Sequence, residues 1–258
     1  MLEILTVLSG SLVGFSLGLI GGGGSVLAVP LLLYVVGIPD PHVAIGTSAF
    51  AVAVNAFANL AQHARAGTVK WPCAGTFAAS GVIGALVGST IGKSVNGESL
   101  LFLFAVVMVA VGGSMFRGRG DEGDPMVRIN KRIAVRLVTI GFLTGAISGF
   151  FGIGGGFLIV PGIMLGSGMA VLNAIGSSLF SVGAFGLTTA ANYAISGLVD
   201  WTVAALFIGG GVAGGFVGMK AAVKLSTRKG ALTRVFAGVL FAVAAYMLYR
   251  NAGAIGLA

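Results

Sequence analysis

Two stretches of this chain place glycine and proline inside long apolar runs, where neither residue helps a helix. One reads Gly152-Ile153-Gly154-Gly155-Gly156-Phe157-Leu158-Ile159-Val160-Pro161. The other reads Gly21-Gly22-Gly23-Gly24-Ser25-Val26-Leu27-Ala28-Val29-Pro30. Relative to alanine, a glycine costs a helix roughly 1 kcal/mol and a proline roughly 3, so each cluster predicts a helix break. In an apolar environment a break frees backbone N–H and C=O groups, and each is costly unless protein or a water-filled cavity receives it. The chemistry on offer is anion binding. A helix end presents unsatisfied N–H donors and a partial positive charge of about half a unit, and glycine lets a ligand approach the backbone. The candidate substrate-binding residues are therefore Gly21, Gly23, Gly24 and Ser25 in one copy, and Gly152, Gly154, Gly155 and Gly156 in the other. The same glycines suit tight helix packing, and both readings stand at this level.

Hydroxyl pairs follow each break: Thr47-Ser48 and Ser177-Ser178. Uncharged donors there could replace part of an anion's hydration. From Ser48 a polar stripe continues through Asn55, Asn59 and Gln62, at spacings that keep all four on one helix face. The second copy carries Ser178, Thr189 and Asn192, with Phe185 in place of Asn55, and Ser181 and Thr188 near the edge. Interhelical hydrogen bonding is the competing role, and the deeper positions favour it. Asn55, Asn59, Gln62, His63 and Asn192 are the candidate gate or pore residues. For His63, which ends its helix beside Arg65, interfacial anchoring is the simpler reading. No Asp, Glu, Lys or Arg falls in the middle of an apolar run. A proton or cation pump usually carries an intramembrane carboxylate, so the pattern points to an anion held by backbone dipoles. Two histidines without an acidic cluster offer no metal site, and no catalytic constellation lies in the spans. Neither a cofactor nor an enzymatic activity is expected. The run from Gly209 to Gly214 matches a dinucleotide fingerprint but follows no strand.

These groups must be positioned by membrane helices. Apolar residues make up 57% of the 258-residue chain and charged residues 9%, against about 25% charged in a soluble domain. Several apolar runs are long enough to cross a bilayer. The expected class is an all-α polytopic membrane protein in a cell (plasma) membrane. Apolar helices are expected over residues 2–20, 43–64, 72–92, 98–116, 133–151, 173–195, 201–220 and 231–249. Shorter pieces are expected after the breaks, over 25–36 and up to about Leu165. The net charge of +8 lies in short loops, where it sets topology beside anionic lipid rather than binding nucleic acid. The single Cys73 permits no internal disulfide. Met1-Leu2-Glu3 lacks the positive start of a signal peptide and is read as part of the membrane domain.

The chain repeats. A shift of 131 lays Gly145, Gly149, Gly152, Gly154, Gly155, Val160 and Pro161 over Gly14, Gly18, Gly21, Gly23, Gly24, Val29 and Pro30. A shift of 130 lays Ala174-Ile175-Gly176-Ser177-Ser178 over Ala44-Ile45-Gly46-Thr47-Ser48, and Trp201 over Trp71. The division is residues 1–116, a polar linker 117–131, and residues 132–258. If each broken segment crossed once, Lys93, Lys220, Lys224, Arg228, Lys229 and Arg234 would oppose the remaining basic residues. If each enters and leaves on one side, all but Lys93 and Arg250 of the 15 lysines and arginines share a side, which the positive-inside rule makes cytoplasmic. The expectation is two inverted repeats, each a glycine-broken helix followed by three transmembrane helices. The linker would be cytoplasmic and both termini outside.

On the twin motifs Gly152–Pro161 and Gly21–Pro30, with Ala174–Ser178, Ala44–Ser48, Gly197–Trp201 and Gly67–Trp71, the chain resembles the TauE/SafE family of sulfite-exporter permeases. The resemblance covers essentially the whole chain. It implies transport of sulfite or a small organosulfonate such as sulfoacetate, with the glycine motifs and the following Thr/Ser pairs as the site region. The first copy departs from the pattern, with Gly22 in place of an apolar residue and Ser25 in place of the last glycine. An alternating-access permease is the expected function. A passive anion channel of the same fold, or a permease for another small solute, is the alternative.

Overall fold

A chain this apolar satisfies its backbone in lipid by closing hydrogen bonds within helices, and the computed structural model of the chain does so. It describes residues 2–117, 123, 124, 126–152, 156–225, 238 and 241–249. Helix α1 spans Leu2–Ile20. A 3-10 segment over Gly21–Leu27 follows, then a single turn α2 at Ala28–Leu31 and a π turn at Leu32–Val36. Next come α3 (Pro41–Arg65), α4 (Trp71–Gly92), α5 (Gly97–Arg117), α6 (Lys131–Phe151), α7 (Gly156–Ser167), α8 (Val171–Ile195) and α9 (Trp201–Leu225). Residues 241–249 are helical and are called α10. Six of these, α1, α3, α4, α6, α8 and α9, are long and apolar enough to cross a membrane.

Local chemistry moves several boundaries outward from the sequence expectation. Pro41 sits at the first helical position of α3, and the Asp40 carboxylate accepts the His42 N–H at 2.7 Å, so α3 starts before residue 43. Asn130 caps α6 by accepting the Ile133 N–H at 2.9 Å, which brings the linker's last residue, Lys131, into the helix. Helix α9 continues past residue 220 because Lys220 bends over the Phe216 ring, 4.2 Å from its centroid, keeping its charge on the helix surface. The piece over 25–36 is not one helix. Proline lacks an N–H, and around Pro30 the chain passes from 3-10 through one α turn to a π turn. The expected helix over 231–249 lies partly outside the described residues.

Glycine faces set the packing. Along α1, a Cβ on Gly10, Gly14 or Gly18 would strike the backbone of Phe207, Gly211 or Gly215 in α9. The same contact recurs at the shifted positions: Gly141, Gly145 and Gly149 of α6 press on the backbone of Phe77, Gly81 and Ala85 in α4. Both numbers rise together in each pair, so α1 runs parallel to α9 and α6 parallel to α4. Without side chains between them, backbones approach closely enough for dispersion and Cα–H···O contact, which drives helix association where lipid supplies no hydrophobic force. Helix α3 packs antiparallel on α8, with Gly46 near Tyr193 and Gly183 near Phe57. Paired aromatic contacts flank this centre: Phe50 meets Trp201 edge-on at 5.2 Å, and Trp71 meets Phe180 at 6.0 Å.

The bundle has two distinguishable ends. At the first end, Leu2, the turn Gly37–Asp40, Val43 and Asp200 line a cavity of about 290 Å³. Pro41 lies against Gly97, and Lys93 reaches Ser196. At the second end, the Asp124 N–H donates to Gly168 O at 2.9 Å, Asn173 Nδ2 to Thr68 O at 3.0 Å, and the Lys70 N–H to Ser177 Oγ at 2.8 Å. The segment Leu2–Asp40 therefore starts and finishes at the first end. In the same way α6 and α7 run antiparallel, with Gly162 against Ile140 and Gly166 against Leu137, and return the chain to the second end.

Candidate functional site

Both expected breaks occur, and they meet. Helix α1 stops at Ile20 and α6 at Phe151, and the next residues, Gly21 and Gly152, take matching left-handed conformations with φ of 65° and 66°. Such a backbone ends a helix and turns the chain back. Beyond the turn, Gly22 lies against Gly156: a Cβ on Gly22 would sit 2.7 Å from the Gly156 Cα, and one on Gly156 would overlap the Gly22 carbonyl. Gly23 and Gly24 continue the 3-10 segment, and Gly24 presses on the α1 backbone at Ser16 and Leu17. Buried Ser25 donates its hydroxyl back to Gly22 O at 2.8 Å. Gly154 and Gly155 lie outside the described residues.

The four hydroxyls after the breaks divide into two roles. Thr47 Oγ1 accepts the Asp200 N–H at 2.8 Å, and Ser177 Oγ accepts the Lys70 N–H at 2.8 Å. Each holds the loop before α9 or α4, so these two serve packing. Ser178 instead faces a break. Its oxygen accepts the Gly22 N–H at 3.1 Å while its proton goes to Ile175 O at 2.7 Å. Ser48 makes the matching 2.9 Å bond to Ile45 O. Its counterpart of Gly22 would be Ile153, outside the described residues. All four side chains are fully buried.

The stripe residues are placed less uniformly. Asn55 and Asn59 are buried against Gly211, Gly215 and Gly18, in the angle between α1, α3 and α9. Asn59 Nδ2 donates to Asn55 O at 2.9 Å, while both amide atoms of Asn55 and the Asn59 Oδ1 meet no partner among the described residues. Gln62 is half-buried. His63 is not an exposed anchor. It is fully buried, with Nε2 3.1 Å from Gly18 O and Nδ1 3.0 Å from Thr68 Oγ1. A carbonyl only accepts, so Nε2 carries the proton, and His63 ties the lower turn of α1 to α3. Asn192 is held in a polar cluster at the first end, donating to Ser89 Oγ and Thr90 Oγ1 and accepting from Lys93.

Sequence reasoning left Gly22, the residue that touches the opposite break, out of the candidate set. The signal was present: glycine stands at Gly22 where the shifted copy has Ile153, and an extra glycine marks a place that admits no side chain. Thr68 and Gly18, the partners of His63, gave no such sign.

The site can bring glycine backbone from two distant breaks to one place, with a backbone N–H resting on a neutral hydroxyl. An anion's hydrogen bond to such a donor is about twice as strong as a neutral one, so an oxyanion can take that donor from Ser178.

Comparison with known proteins agrees with a transport role. The family model described as "Sulfite exporter TauE/SafE" matches residues 6–247. A probable membrane transporter protein of Xylella fastidiosa is 52% identical over 251 residues, covering 96% of this chain and 95% of the relative. A probable membrane transporter protein of Bacillus subtilis, YunE, is 25% identical over 271 residues, covering 96% of this chain and 98% of its own. One from Methanocaldococcus jannaschii is 29% identical over 205 residues, covering 78% of this chain and 72% of its own. No solved structure matches.

Proposed function

This chain belongs to the TauE/SafE sulfite exporter family of membrane transporters, and on that premise we propose that it carries a small anion, sulfite or an organosulfonate, by alternating access. The site is the junction of the two helix breaks. The observation that carries this reading is the contact of Gly22 with Gly156 in the protein core, with the Gly22 N–H lodged on the Ser178 hydroxyl. Backbone donors and a hydroxyl receive an oxyanion without burying a permanent charge, whose desolvation costs several kcal/mol. Gly21, Gly22, Gly24, Ser25, Gly152 and Gly156 shape the junction, and Ser178 faces it; Gly154, Gly155 and Ser48 are assigned to the site from the repeat alone.

The two halves, residues 1–116 and 132–258, are inverted repeats that rock about this junction, with 117–131 as the cytoplasmic linker. The reciprocal packing of α1 on α9 and of α6 on α4 supports the repeat. The return of the first broken segment to the end opposite the second supports the inversion. Among the described residues Arg65, Lys70, Lys131, Arg132, Lys220 and Lys224 lie toward the second end, which supports a cytoplasmic position for that end by the positive-inside rule, with the protein in a plasma membrane and both termini outside.

The test is flux of radiolabelled sulfite into proteoliposomes, with sulfoacetate, taurine and sulfate as competitors under imposed pH gradients and potentials. Saturable flux that a sulfonate competes, and that Gly156→Leu or Ser178→Ala lowers at least tenfold, is expected; the first fills the junction and the second removes its hydroxyl. Flux that follows a gradient without saturating indicates a channel. Folded protein that moves none of these anions overturns the organosulfur assignment.

A further inference from the structure

A lysine that the site does not use closes the first end. Lys93, at the C-terminal cap of α4, spends all three ammonium protons on the end of α8 and its cap: Asn192 O at 3.0 Å, Asn192 Oδ1 at 2.8 Å and Ser196 Oγ at 2.9 Å. The Asn192 amide in turn donates to Ser89 Oγ at 2.8 Å and Thr90 Oγ1 at 3.1 Å on α4. This network fastens the last turns of α4 and α8 together. None of the described partners of Lys93 is a carboxylate. Its charge meets neutral oxygens and the negative end of the α8 dipole, a balance that an anion improves.

Below the lysine, one face of α8 carries polar groups inward. Asn192, Thr189, Ser181 and Ser178 recur at helical spacing, with Phe185 between them. Thr189 and Ser181 are fully buried, and neither hydroxyl meets a partner among the described residues; nor does the phenol of buried Tyr193, whose ring lies 5.9 Å from the Lys93 ammonium. Buried polar atoms without partners are rare and call for a cause. These form a line from Lys93 to Ser178, which holds the Gly22 N–H. At the positions shifted from Lys93 and Thr90 the second half carries Val223 and Lys220.

We propose that Lys93 is the anion-capturing gate of the first end. An incoming oxyanion replaces Asn192 Oδ1 and Ser196 Oγ on the ammonium, α8 parts from α4, and the hydroxyls of Thr189, Ser181 and Ser178 conduct the anion to the break. This rests on the anion-permease reading above.

The experiment uses the full chain in a Cys73→Ala background in proteoliposomes. For sulfite flux, Lys93→Met should raise KM about tenfold or more, the loss of one charge-assisted contact, while Lys93→Arg stays within about threefold. Asn192→Ala, which unfastens the gate but keeps the charge, should leave KM far less changed than Lys93→Met. A wild-type KM in Lys93→Met overturns the proposal. A second readout does not need sulfite. With Thr189→Cys, the ratio of modification rates by anionic and cationic methanethiosulfonates should fall about tenfold on Lys93→Met, and Asn192→Ala should speed both reagents. An unchanged ratio, or a cysteine unmodified in every variant, also overturns it. If wild-type protein moves no sulfite, the sulfite assignment fails, and the labelling still decides the gate.

Discussion

At the scale of single residues, the two left-handed glycines have unequal surroundings. A Cβ on Gly21 would lie 2.7 Å from Ser178 Oγ and 2.8 Å from Ile175 O, whereas one on Gly152 would meet the side chain of Ile45. The left-handed backbone alone costs a non-glycine residue about 1–2 kcal/mol. Ile45 can adjust its rotamer, but the Ile175 carbonyl cannot. Gly21→Ala should therefore lower the unfolding free energy in detergent by about 2 kcal/mol or more, and Gly152→Ala by less. The reverse order would remove the argument that the first break is seated on backbone. Glycine content made both breaks legible in the sequence. It did not show that Thr47 and Ser177 would be drawn away to hold loops, because the donors they serve, at Asp200 and Lys70, are 153 and 107 residues distant.

At the scale of elements, parallel pairing of α1 with α9 and of α6 with α4 rests on backbone contact. Gly14→Leu and Gly145→Leu each drive a side chain into the backbone of Gly211 or Gly81. Overpacking usually costs 1–3 kcal/mol; with no rotamer able to relieve it, the expected loss is about 3 kcal/mol or more. The lipid-facing Leu12→Met, on the same helix, should change stability by under about 1 kcal/mol. Folded yield and thermal midpoint in detergent read both, and equal behaviour of Gly14→Leu and Leu12→Met would show that α1 does not depend on a glycine face. The four-residue spacing of Gly141, Gly145 and Gly149 makes such a face legible in the sequence. Its partner was not announced, since the spacing names no opposite helix. The irregular run after Gly24 was also hidden, because 3-10, α and π turns share one apolar composition.

At the scale of the whole molecule, the orientation of the halves is open to direct measurement. In a Cys73→Ala background, Pro39→Cys at the first end should react with a membrane-impermeant maleimide in intact cells. Ala66→Cys and Met126→Cys, exposed at the second end, should react only after permeabilisation. Labelling of Ala66→Cys alongside Pro39→Cys in intact cells would overturn the inverted arrangement. The sequence by itself determined the membrane class, the helix breaks, the repeat and the family. Each follows from local terms: apolar length, helix propensity, and residue identity at a fixed shift. Only the tertiary structure decided that Gly22 meets Gly156, that His63 is buried on Gly18, and that Lys93 fastens α8. Those contacts join residues 45 to 134 positions apart. In lipid, which helix packs on which is settled by shape and by the last unsatisfied polar groups, and a linear pattern carries neither.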